Sequence, residues 1–220
     1  NVDVIEGTTY TQDGGDFASC AEWGARTDDL MQDGNQVEDC FPEEERDKTT
    51  LVIMTMGGND LQKLTEGFMD GDDTSDLWVQ TEEFMALMRE AAEWIKEPGQ
   101  FPNGVHLIFT NLYEFTDATG DVTSCPVAEL AGFSEAVTDP ALAQMVVWAM
   151  EEFMSIATDT ESDMLFLLES FCGHGFNYDD TDGQCYRGDE AELWFDITCI
   201  HPNDLGHAAM SEMFLDVIRE

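Results

Sequence analysis

Three short apolar runs alternate with long helical patterns along this chain, and that alternation restricts the folds open to it. Residues 51–56 (LVIMTM) form a continuous apolar run with β-branched members, the signature of a strand buried on both faces. Residues 77–96 follow, with Leu77, Phe84, Leu87, Met88, Ala91 and Ile95 at helical spacing, and Pro98 and Gly99 stop that pattern. A second strand is expected at residues 105–109, after Gly104. A long helix at 140–157 carries Leu142, Met145, Val146, Ala149 and Phe153 on one stripe. A third strand is expected at 164–168 and a closing helix at 204–218. Residues 2–5 read as a further short strand closed by Gly7. Strands and helices in this order build βαβ units, so the expected class is α/β, a parallel sheet with helices on both faces. Sites in such sheets lie at the carboxyl ends of the strands.

The intervening segments are polar. Residues 8–19 and 171–190 are Gly-rich loops, 25–31 is a helical turn, and 33–48 and 70–76 are acidic loops. No repeat or low-complexity linker divides the chain, and 220 residues suffice for one domain spanning 1–220.

Charge excludes whole classes of partner. Eight Lys and Arg face 48 Asp and Glu, a formal net charge of −40. Nucleic-acid binding needs clustered cations and is excluded, and an anionic membrane surface would repel the chain. The acidic shell suits solubility, as in halophilic proteins, while a 43% hydrophobic composition still supplies a core. No run approaches a membrane span. The N-terminus lacks the segments of a signal peptide, so secretion requires a targeting segment removed from or lying outside this chain.

Cys20, Cys40, Cys125, Cys172, Cys185 and Cys199 form an even set without the close spacing of a zinc site. Disulfides are therefore expected, which places the protein outside the cytoplasm, secreted or extracytoplasmic. Six cysteines admit fifteen pairings. The pairing favoured here joins Cys20 to Cys40 across one polar excursion and Cys172 to Cys185 around their loop, leaving Cys125 for Cys199. The acidic loops 70–76 and 179–183 offer carboxylate oxygens of the kind calcium takes, but neither follows the EF-hand pattern. No metal or cofactor is expected.

Two motifs hold residues suited to catalysis. In Gly57-Gly58-Asn59-Asp60, directly after the first strand, glycines permit a sharp turn and close approach of a substrate, and the Asn amide can donate to a developing oxyanion. In His201-Pro202-Asn203-Asp204-Leu205-Gly206-His207, Pro202 fixes its own φ and biases His201 toward extended backbone, which holds a potential general base on a stiff turn. Upstream, Gly24 sits in Ala21-Glu22-Trp23-Gly24-Ala25-Arg26-Thr27. His106 and His207 read as structural, His174 as a loop residue or pocket wall, and the 12 Met as core filling.

In this order these motifs resemble blocks II, III and V of the SGNH (GDSL-type) hydrolases, a family of esterases, lipases and acyl hydrolases. Residues 105–113, with Asn111, resemble the strand and loop after block III. The resemblance implies a three-layer α/β/α sandwich around a central parallel sheet, acting on a small-molecule or lipid ester through an acyl-enzyme. It gives His201 the role of general base, and Gly24 and Asn59 the role of oxyanion donors. The family's orienting Asp stands three residues before the His, where this chain has Thr198. Asp196 can serve if residues 198–200 bend, and otherwise a backbone carbonyl orients the ring. Block I, Gly-Asp-Ser, should precede everything matched, and neither Ser19 nor Ser75 has its context. The expectation is an N-terminally incomplete domain lacking its first strand, with the nucleophile serine on a separate or preceding segment. Acyl transfer, or a non-catalytic binding protein on the same fold, are the alternatives.

Overall fold

The computed structural model describes residues 19–32, 34–128 and 139–220. The strand expected at 2–5 and nearly all of the loop 8–19 lie outside these residues. Strands β1 (Thr50–Met54), β2 (Val105–Thr110) and β3 (Asp163–Leu165) form a parallel sheet in the order β1-β2-β3. Val52 lies opposite Leu107, Met54 opposite Phe109, and Phe109 opposite Met164. The class is α/β with an open parallel sheet, as the alternating pattern requires.

The helices in chain order are α1 (Thr27–Met31), α2 (Gln36–Cys40), α3 (Gly58–Asp70), α4 (Thr74–Lys96), α5 (Pro140–Asp159), α6 (Leu167–Phe171) and α7 (Asp204–Arg219). Helix α5 starts where Pro140 supplies a preset φ and the Asp139 carboxylate accepts the Ala141 N–H at 2.7 Å. On one face of the sheet, Val52, Met54, Leu107 and Phe109 pack against Phe84 and Met88 of α4 and Phe153 and Ile156 of α5. Arg89 braces these two helices, reaching Asp159 at 2.7 Å and Glu152 at 3.5 Å. On the other face, Ile108 and Leu165 join Phe171, Phe195 and the α7 residues Met210, Met213, Phe214 and Val217.

Three layers are therefore complete only over β2 and β3. Residues 51–56 were expected to be buried on both faces, yet Leu51 and Ile53 are 46% and 49% exposed while Val52 and Met54 are buried. The reason is positional: α7 packs on β3, and among the described residues no element covers the second face of β1 or pairs with its outer edge.

Local side-chain chemistry overrides the sequence pattern elsewhere. The strand expected through residue 168 stops at Leu165. There the buried Asn111 accepts the N–H groups of Leu167 at 2.5 Å and Leu168 at 3.1 Å, supplying the first donors of α6 with a partner. Residues 33–48 contain α2 and a short 3-10 turn, Glu43–Glu45, where only loop was expected. Disulfides join Cys20 to Cys40, Cys125 to Cys199 and Cys172 to Cys185, the pairing favoured from the sequence. No described helix is long and apolar enough to cross a membrane.

Candidate functional site at the carboxyl ends of the strands

The Gly57-Gly58-Asn59-Asp60 motif forms the start of a 13-residue helix, α3, which the sequence reading did not anticipate. Gly57 makes the turn from β1 at φ 103°, a conformation that favours glycine, and a Cβ there would stand 2.9 Å from the Leu112 side chain, which would have to shift. Asn59 thus lies in the first helical turn, where backbone N–H groups lack helical partners and the macrodipole is positive. Its side-chain Nδ2 donates to the Ala25 carbonyl at 2.8 Å. An amide nitrogen has two protons, so this bond orients the group and leaves the second N–H available.

The neighbouring Asp60 ties the same two segments together. It is buried, and its carboxylate accepts the Thr27 hydroxyl at 2.8 Å and the Thr27 N–H at 3.2 Å. Burial pushes the Asp60 carboxyl above its ordinary range, and the two Thr27 bonds oppose that shift. Thr27 opens α1, whose cap is the Arg26 N–H bonded to the Asp29 carboxylate at 2.9 Å. Gly24, three residues earlier, is exposed with φ 77°, so its conformation favours glycine although no atom crowds it. Asn59 and Asp60 together fix the segment that bears Gly24.

His201 comes from the other side of the sheet. Phe195 and Pro202 form an antiparallel bridge, and the Asp196 N–H donates to the His201 carbonyl at 2.9 Å. Residues 196–201 therefore form a tight loop, which Cys199 (φ 74°, fully buried) fastens to Cys125. Asn203 caps α7, accepting from Leu205 and Gly206 and donating to the Leu193 carbonyl at 2.7 Å. The His-Pro-Asn run is thus a turn, a bridge and a helix cap in succession.

The Asp196 carboxylate makes no direct hydrogen bond to the imidazole. Its Oδ1 accepts both the N–H and the hydroxyl of Thr198, at 2.7 and 2.5 Å, and the Thr198 Oγ1 lies 2.7 Å from His201 Nδ1. The loop does bend as the Asp196 expectation required, and a hydroxyl stands between the two groups. Tyr113, stacked on Phe171 and donating to the Ile200 carbonyl, lies beneath the turn. Desolvation, with a smaller contribution from the charge of Asp196, pushes its phenol up to about 12.

The two halves meet through Trp23. Its indole, 55% exposed, lies against the His201 ring with centroids 5.1 Å apart. The Trp23–Ala25 segment therefore contacts His201 on one side and Asn59 on the other, bringing to one place three motifs spread along the chain from residue 23 to residue 201. Trp23, Thr27 and Thr198 were missed from sequence. Only Thr198 left a signal there, because Asp-x-Thr is a pattern for a side chain bonding the backbone two residues on.

Other candidates stay apart from this site. His174 stacks on Trp194 at 3.6 Å and bonds the Glu192 carbonyl, and burial lowers its pKa. His106 and His207 are exposed. Ser75 lies in the first turn of α4. Among the described residues no three His, Cys, Asp or Glu side chains group to hold a metal.

The architecture is that of an α/β protein whose loops gather at the carboxyl edge of a parallel sheet. No family model and no curated protein sequence matches the chain. Among solved structures it is similar to a gut microbial diltiazem-metabolizing enzyme, with TM-score 0.55 and 15% identity over 88% of this chain and 37% of that one. It is also similar to an extracellular lipase from Streptomyces rimosus (TM-score 0.47, 19% identity, 89% of this chain and 76% of that one). A phospholipase A1 from Streptomyces albidoflavus NA297 gives TM-score 0.47 and 16% identity over 89% of this chain and 76% of its own. The chain spans little more than a third of the first structure's length, and the likeness is one of fold.

Proposed function

We propose that this chain is the larger part of a secreted ester hydrolase of the SGNH type, with a small-molecule or lipid ester as substrate. The observation that supports it best is the convergence of Gly24, Asn59 and His201, through Trp23 and the Asn59–Ala25 bond. In this reading a serine on a segment preceding Asn1 attacks the ester carbonyl carbon and gives its proton to His201 Nε2. The Gly24 N–H and the second Asn59 N–H receive the oxyanion. Collapse breaks the bond to the alcohol, which leaves with the proton from His201, and water then releases the acid from the acyl-enzyme by the same route. Among the described residues nothing pairs with the outer edge of β1, and a further strand would pair there. Three disulfides support an oxidising, extracytoplasmic setting.

The test is hydrolysis of a p-nitrophenyl ester and covalent labelling by a fluorophosphonate, using the full chain expressed from its gene. His201→Ala is expected to reduce kcat/KM by on the order of 10³-fold or more with an unchanged circular dichroism spectrum. Full activity in that variant, or absence of labelling in the parent protein, overturns the assignment and favours a binding protein on the same fold.

A further inference from the structure

We infer that Thr198 is a positioning residue: its hydroxyl relays the Asp196 carboxylate to His201 and sets which ring nitrogen is free to act as base. The inference deepens the hydrolase reading above and rests on it for its catalytic consequence, though not for its structural one.

The proton count at Thr198 has one solution. A hydroxyl has a single proton, and an ionised carboxylate can only accept. Thr198 Oγ1 is 2.5 Å from Asp196 Oδ1, so that proton points at the carboxylate, and the same Oδ1 also accepts the Thr198 N–H at 2.7 Å. What remains on the hydroxyl is lone pairs, and His201 Nδ1 is 2.7 Å away. Nδ1 must therefore be the donor. In the neutral ring this leaves Nε2 unprotonated, facing away from Thr198, as a general base requires. A hydroxyl that donates to a carboxylate is polarised into a stronger acceptor, so the influence of Asp196 reaches the ring without contact.

The relay is held by backbone, not by chance rotamers. The Phe195–Pro202 bridge, the Asp196 N–H bond to the His201 carbonyl, and the Cys199–Cys125 disulfide fix both ends and the middle of the loop. The β-branched side chain of Thr198 has few χ1 choices, and its backbone N–H holds the Asp196 carboxylate where the hydroxyl also reaches it.

The experiment is 15N NMR of the histidine rings in the full chain, with His201 assigned by its loss in His201→Gln, at a pH where the ring is neutral. The parent protein is expected to show His201 as the Nδ1–H tautomer. Thr198→Val, which keeps the branched shape and removes the hydroxyl, is expected to shift the population toward Nε2–H, and Thr198→Ser to restore Nδ1–H. An unchanged tautomer in Thr198→Val, with native circular dichroism, overturns the relay. In the ester assay, Thr198→Val is expected to lower kcat by about 10²- to 10⁴-fold with little change in KM, and Thr198→Ser to recover most of it. If the parent protein neither hydrolyses esters nor takes a fluorophosphonate, the hydrolase reading fails, and the tautomer result still decides the relay.

Discussion

Thr27→Val tests the clasp between α1 and α3 more directly than any change at the motif residues themselves. The substitution keeps the shape of a side chain only 1% exposed and removes the hydroxyl that donates to Asp60 at 2.8 Å. Asp60 keeps the Thr27 N–H, so one of two charge-assisted bonds is lost beneath a buried carboxylate. A hydrogen bond to a charged group contributes about 1.5–3 kcal/mol, which for a domain of this size lowers Tm by about 3 to 12 °C at neutral pH. The pH dependence has a definite sign. The native Asp60 carboxyl is already raised by burial, and the Thr27 bonds oppose that rise. Losing the hydroxyl bond raises it further. Between the unfolded and folded titrations the native state holds the extra proton, so stability falls as pH rises, and falls further in the variant. The stability gap between parent and variant should be widest above the folded titration of Asp60. It should shrink toward about 1 kcal/mol as acid protonates the group in both states. Thermal melts from about pH 8 down to about pH 4 read this out. An unchanged Tm at neutral pH, or a loss independent of pH, would refute the reasoning.

Two further predictions address the whole molecule. With a net charge of −40, raising salt from about 0.1 to about 1 M shortens the Debye length from about 10 to about 3 Å and should raise Tm; a melt that gains nothing would show that self-repulsion is not limiting. Replacing both Cys125 and Cys199 by Ala opens a cross-link between positions 74 residues apart and should cost about 4 kcal/mol in urea unfolding, and a loss below about 1 kcal/mol would contradict it.

Much of the fold was legible in sequence because it rests on periodicity. The stripes of α4 and α5 and the apolar runs of β1 and β2 follow from how often an apolar residue returns to one face, which is a local property. The disulfide pairing was legible for a related reason, since two of its bridges close short polar loops. The clear failures were non-local. Asn111 ended β3 and began α6 from 56 residues away, and no pattern within residues 164–168 could announce it.

The sequence by itself determined the α/β class, the acidic surface and the identity of Gly24, Asn59 and His201 as candidates, because each depends on residue type, order or spacing along the chain. Tertiary structure alone decided that Trp23 lies on His201, that Asp60 clasps Thr27, and that among the described residues β1 is covered on one face only. It also placed the Thr198 hydroxyl between Asp196 and His201. Sequence counts residues from Asp196 to His201, whereas the loop's bridge and disulfide fold that interval back until a threonine hydroxyl fills the gap. Contacts between side chains distant in sequence depend on where whole elements pack, and that is settled only when the sheet and its helices come together.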